Sequence, residues 1–177
     1  MSLGAMALMS VVSAAEVADQ FTSLPGFNGT MQTESYSGYL NVNANKSLHY
    51  LFYKSRNDPV NDPIILWFNG GPGCSSLLGA FQELGPYLVD DELSPNFQVN
   101  DHSWNNNASL LFLESPAGVG YSIAKNPSDY PTNDFRQSED AIKALLDWFS
   151  KFPEFKPNAF YISGESYGGI YVPWMTW

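Results

Sequence analysis

Residues 160–171 read Phe160-Tyr161-Ile162-Ser163-Gly164-Glu165-Ser166-Tyr167-Gly168-Gly169-Ile170-Tyr171. An apolar run enters a Gly-x-Ser-x-Gly spacing formed by Gly164, Ser166 and Gly168, and Gly169 extends the turn. A serine on a sharp turn between a strand and a helix needs small residues on both sides, because larger ones would collide with neighbouring strands. Such a turn lifts the hydroxyl above the sheet, where a histidine can take its proton and an acid can orient that histidine. The stretch therefore predicts a buried strand over Ala159–Ser163, an activated serine at Ser166 and a helix after it.

Upstream, Pro63–Phe68 is another continuous apolar run, bounded by Asp62 and by Asn69-Gly70-Gly71-Pro72-Gly73. Strands buried on both faces have this character. A glycine loop at the end of such a strand can aim backbone N–H groups at a developing oxyanion. Gly71 and Tyr167, the residue after the serine, are the candidate donors, and Pro72 has no N–H to give. A phosphate loop is the competing reading of these glycines, but no Gly-Lys-Ser/Thr follows them.

Ala108–Leu113 is a third buried strand, and Tyr36–Val42 with Leu48–Tyr53 form a hairpin across Asn43-Ala44-Asn45-Lys46. Ser76–Leu84 can form a short helix. Asp134–Phe152 carries Ile142, Leu145, Leu146 and Phe149 at helical spacing and stops at Pro153. A hairpin followed by strands alternating with helices predicts an α/β fold whose later strands are parallel. Ligands in such sheets bind beyond the carboxyl ends of the strands, where both glycine loops fall.

The chain has 177 residues, about one domain, and 44% hydrophobic content is ample for a core. Net charge is -10, with no Lys/Arg cluster, which argues against a nucleic-acid partner. Residues 1–15 read as a signal peptide: an apolar run from Leu3 ends in small residues, and Val12-Ser13-Ala14 resembles a cleavage site. The run is too short to span a bilayer, and no longer one follows, so no stable membrane insertion is expected. Sequons at Asn28, Asn45 and Asn107 are glycosylation candidates in keeping with a secretory route. The single cysteine, Cys74, is either a small buried hydrophobe, a reactive thiol or half of a bridge. No cofactor or metal is expected.

Four stretches, Trp67–Ser76 (WFNGGPGCSS), Phe81–Pro86 (FQELGP), Leu111–Ser122 (LFLESPAGVGYS) and Ile162–Pro173 (ISGESYGGIYVP), together resemble the serine carboxypeptidase family. The likeness runs from about Ser37 to Pro173. It implies an α/β-hydrolase fold and release of one residue from the C-terminus of peptides at acidic pH through an acyl-serine. By resemblance Ser166 is the nucleophile, and the N–H groups of Gly71 and Tyr167 form the oxyanion hole. Trp67, Asn69, Glu83 and Glu165 match positions that bind the substrate's terminal carboxylate. Two carboxylates held close do not both ionise easily, and a protonated one can donate to the substrate, so an acidic optimum is expected.

The resemblance also implies triad Asp and His residues downstream of the serine, but no Asp, Glu or His follows Ser166. His49 and His102 precede it, the wrong order for this fold, and are read as satisfied or solvated. Family members run to more than twice this length and bridge the position of Cys74 to a downstream cysteine. The expectation is thus an incomplete α/β-hydrolase, residues 16–177 being its N-terminal part, cut just after the elbow and inactive alone. Beside the elbow strand, the missing neighbour would leave Phe160-Tyr161-Ile162 as an exposed edge. An acyltransferase on the same framework, or a non-catalytic peptide-binding protein, are the alternatives. Expected partners are peptide C-termini, with a homodimer compatible with the full-length form, in an extracellular or lysosomal/vacuolar setting.

Overall fold

The computed structural model describes residues 14–89 and 96–177. The leader expected over 1–15 lies outside the described residues except for Ala14 and Ala15, which open helix α1 (Ala14–Asp19). Strands β1 (Gln20–Phe21), β2 (Ser35–Asn41), β3 (Lys46–Tyr53) and β4 (Ile64–Phe68) follow. Next come the short pair β5 (Tyr87–Val89) and β6 (Phe97–Val99), then β7 (Ser109–Leu113) and β8 (Ile123–Ala124). Helix α2 (Asp134–Lys151), strand β9 (Phe160–Gly164) and helix α3 (Gly168–Thr176) close the described chain.

The main sheet runs β1-β2-β3-β7-β4-β9, with β8 paired to β3. The expected hairpin is present: β2 and β3 pair antiparallel from Ser35↔Tyr53 to Asn41↔Ser47. Its turn is fixed by Asn43, whose Oδ1 accepts from the amides of Asn45 and Lys46. Antiparallel pairing continues to β7, whereas β7, β4 and β9 are mutually parallel across β4. The carboxyl ends of β4, β7 and β9 therefore open on one edge, and both glycine loops lie there.

Side chains alternate across this sheet with period two. Leu48, Tyr50 and Phe52 of β3 join one core with Leu66, Phe68, Leu111, Leu113 and the α2 residues Ala141, Ala144 and Trp148. Leu51 and Tyr53 join the other, with Trp67, Leu110, Phe112, Ala80 and Tyr87. Runs such as Leu110–Leu113 are apolar throughout because both faces are covered.

Three sequence expectations are refined. The strand expected over Pro63–Phe68 starts at Ile64, since Pro63 has no N–H for the ladder. The short helix expected over Ser76–Leu84 is chiefly a π-helical turn, Gly79–Glu83. Helix α2 forms as expected, its Asn133 cap accepting from the Arg136 amide. It buries Gln137, Ala141, Ala144 and Trp148, however, while Ile142 is 38% and Leu146 62% exposed. The small alanines let the helix approach the sheet, so the large aliphatic residues are not the ones inside.

Candidate active site

Strand β9 delivers the chain into the elbow, and Ser166 sits there at φ 50°, the one described non-glycine residue with positive φ. That conformation costs an L-residue about 1–2 kcal/mol, and strain of this kind gathers at functional positions. The flanking glycines are explained by space. A Cβ on Gly164 would lie 2.7 Å from the Phe68 carbonyl oxygen of adjacent β4, and one on Gly168 would lie 3.3 Å from the same atom. The Ser166 side of the turn is left exposed.

The loop after β4 packs on the elbow itself. A Cβ on Gly70 would fall 2.6 Å from the Tyr167 amide nitrogen and 2.8 Å from Ser166 Cβ. Only glycine allows that approach. The next residue, Gly71, has φ 106°, and the Gly73 amide donates to the Tyr171 hydroxyl of α3 (3.2 Å). Burial pushes the Tyr171 phenol up from its ordinary value, keeping it neutral and able to accept that bond. Tyr167 donates its hydroxyl to Asp134 at the start of α2 (3.2 and 3.3 Å), and this bond raises its phenol too. Among the described residues neither the Gly71 nor the Tyr167 amide has a hydrogen-bond acceptor.

Asn69 is the second centre. It is 2% exposed, and its side chain gathers the three other residues expected at the carboxylate site, Trp67, Glu83 and Glu165. Trp67 Nε1 and the Gly79 amide each donate to Asn69 Oδ1 at 2.9 Å. Two donors on the oxygen fix which way the amide points. Its Nδ2 therefore faces the carboxylates, donating to Glu165 Oε1 (2.9 Å) and Glu83 Oε1 (3.1 Å). Gly79 is needed because a Cβ there would stand 2.3 Å from Trp67 Nε1. Trp67 spends its N–H on Asn69, so it reaches any ligand only through that residue.

Within this frame the sequence places the chain. A family model described as serine carboxypeptidase matches residues 25–176. The chain belongs to the serine carboxypeptidase family. It is 45% identical over 158 residues to serine carboxypeptidase-like 20 of Arabidopsis thaliana, covering 86% of this chain and 32% of that protein. It is 45% identical over 155 residues to the lysosomal protective protein of Mus musculus, covering 88% and 32%. The structure resembles that of a prohormone-processing carboxypeptidase from Saccharomyces cerevisiae, with TM-score 0.67 and 30% identity over 81% of this chain and 33% of that one. The α/β-hydrolase fold expected from the motifs is thereby borne out. The chain spans about a third of the length of these relatives.

Other expected positions fall as follows. Cys74 is a free, exposed thiol, not a buried hydrophobe. Asn28, Asn45 and Asn107 are all exposed. His102 is exposed in a turn, its amide bonded to Asn100. His49 lies on β3 and bonds Ser37 and Glu114, not Ser166. No described helix is long and apolar enough to cross a membrane. The residues that sequence reading passed over are Gly79, Ser76 and Glu114. Ser76 Oγ accepts from the Asn69 amide and donates to the Leu113 carbonyl, tying β4 to β7. A signal existed for Glu114: a charge directly after the apolar run Leu110–Leu113 is costly unless it is satisfied.

Proposed function

We propose that this chain carries the nucleophile, oxyanion donors and substrate-carboxylate site of a serine carboxypeptidase. Ser166 Oγ attacks the carbonyl carbon of the last peptide bond. The Gly71 and Tyr167 amides receive the oxyanion, and the acyl-serine forms as the terminal amino acid leaves. Asn69, Glu83 and Glu165 receive the terminal carboxylate, which explains why the enzyme is an exopeptidase. The observation that carries this reading is the Asn69 side chain. Its orientation is fixed from behind by Trp67 and Gly79, and it binds two glutamates, one of them adjacent in sequence to Ser166.

Acid favours binding in this scheme. A protonated glutamic acid donates to the substrate carboxylate, and the ionised pair repels it. The two histidines have their own partners or face solvent, so the 177 residues by themselves hydrolyse peptides slowly, and Ser166 remains a weak nucleophile. A location outside the cytosol is supported by the exposed sequons at Asn28, Asn45 and Asn107 and by similarity to the mouse lysosomal protective protein.

Binding of an N-blocked dipeptide tests this without requiring turnover. Expected are tighter binding of the free acid than of its C-terminal amide, an advantage that grows from pH 7.5 to pH 5, and loss of that pH dependence in Glu83→Gln/Glu165→Gln. Equal affinity for acid and amide would refute the proposed carboxylate site.

A further inference from the structure

Ser37, His49 and Glu114 form a hydrogen-bonded chain that does not include the elbow serine. Ser37 of β2 and His49 of β3 lie on one face of the hairpin, since His49 is opposite Tyr39, two residues from Ser37. His49 Nε2 is 2.9 Å from Ser37 Oγ, and its Nδ1 is 2.9 Å from Glu114 Oε2. Glu114 sits just beyond β7 and is fully buried. It also accepts from Ser75 Oγ and from the Tyr121 amide (2.9 Å). Burial alone would push its carboxyl up, but hydrogen bonds from His49, Ser75 and Tyr121 outweigh that and hold it below its ordinary value. A carboxylate only accepts, so Nδ1 must carry the imidazole proton. The Nε2 lone pair is then aimed at Ser37 Oγ.

The ring cannot easily turn away from this pose. Tyr39 and Tyr121 flank it edge-on, with centroids at 5.7 and 5.3 Å. Ser37 is half-buried and His49 is buried, and both border cavities. The pair lines a cavity of about 610 Å³ of mixed polarity, shared with Asp19, Tyr121 and Lys151. It lines a second cavity of about 420 Å³ as well, walled by Phe21, Leu24, Leu77 and Phe81. Lys151 and Asp19 both line the larger cavity, paired at 2.9 Å, and Lys151 also donates to the Tyr39 carbonyl.

We propose that Ser37, His49 and Glu114 form a second serine-nucleophile site acting on carboxylic esters with a small apolar acyl group. Ser37 Oγ attacks the ester carbonyl while His49 Nε2 takes its proton. The tetrahedral adduct collapses, the C–O bond to the alcohol breaks, and His49 returns the proton to the departing alkoxide. Water, deprotonated by His49, then cleaves the acyl-Ser37 ester and regenerates the hydroxyl. The smaller, more apolar cavity takes the acyl group, and the larger one, which carries the Asp19–Lys151 pair, takes the alcohol. This site uses no residue of the proposed carboxypeptidase centre, and either can fail without the other.

The test is to treat the full chain with a fluorophosphonate that has a short alkyl chain, and to locate the adduct by peptide mass spectrometry. An adduct on the peptide containing Ser37, retained in Ser166→Ala, is expected. Adducts only at Ser166, or none on folded protein, overturn the proposal. His49→Gln keeps a hydrogen-bonding side chain but cannot take the proton, so labelling of Ser37 and turnover of p-nitrophenyl butyrate should fall on the order of 10²-fold. Undiminished labelling in a folded His49→Gln protein would show that the histidine only packs there. Should that variant not fold, the adduct map of the unaltered chain decides.

Discussion

Strands β3 and β9 are both rich in aromatic and aliphatic residues, yet the protein treats them differently. The last six residues of β3 are all buried, between β2 and β7 in the sheet and between two cores. In β9, which borders only β4 among the described strands, no residue is fully buried and Tyr161 is 59% exposed. Leu146 and Ile142 of α2 and Ile170 and Trp174 of α3 are exposed as well. Apolar composition makes a strand, but neighbours decide whether it stabilises anything. Stability is therefore concentrated at the hairpin end, and Ser166, the proposed nucleophile, is presented at the sparsely covered end.

The largest effect belongs to the buried end. Trp148 is fully buried, 5.0 Å from Phe52 and stacked on Phe152 at 5.1 Å. Trp148→Ala should cost about 3–5 kcal/mol in chemical denaturation. Its Nε1 has no partner, so Trp148→Phe should cost far less. At the elbow, Gly164→Ala should cost about 1–3 kcal/mol, because backbone at 2.7 Å from the new Cβ cannot yield as a side chain could.

Glu114→Gln sharpens the contrast through pH. The folded carboxyl is held below its ordinary value of 4.5. Its stabilisation is present above that value and lost as pH falls through the folded value. Expected is a loss of about 1–3 kcal/mol at neutral pH, with the gap to the unaltered protein closing below pH 4.5. A gap that stayed constant down to pH 2 would assign the loss to packing.

How much of this was legible in sequence depended on range. The elbow, the hairpin and helix α2 are local patterns, and they formed where expected. The placing of β7 between β3 and β4 is not local, and it alone brings His49 to Glu114, 65 residues away in sequence. For the same reason the partners that satisfy His49, Ser37 and Glu114, could not be read from the sequence. Asn69 was identified by resemblance, but its function as the amide joining both glutamates needed the π-helical turn that brings the Gly79 amide to its oxygen. Strands of two or three residues, such as β1, β5, β6 and β8, carry too little pattern to be read.

Two smaller effects probe the exposed end. Ser166→Gly relieves the positive φ and should raise stability by about 1 kcal/mol while abolishing acylation at the elbow. A decrease would mean that Ser166 contributes packing that its exposure does not suggest. Tyr161→Lys should change stability by less than about 0.5 kcal/mol, yet it should reduce self-association measured by light scattering, since charge blunts an uncovered strand edge.

The Asn69-Gly70 pair has one further consequence, for the protein's ageing. An asparagine followed by glycine is the sequence most open to spontaneous deamidation, because the glycine nitrogen can attack the side-chain amide. Here the fold ties down that amide at both its oxygen and its nitrogen. Each unfolding episode removes the protection. Conversion to aspartate would then place a third carboxylate beside Glu83 and Glu165 and delete the donor that holds them together. A chain that had unfolded for long enough could regain its strands and still have lost this site, so shelf life at the Asn69 cluster would be set by how often the molecule opens.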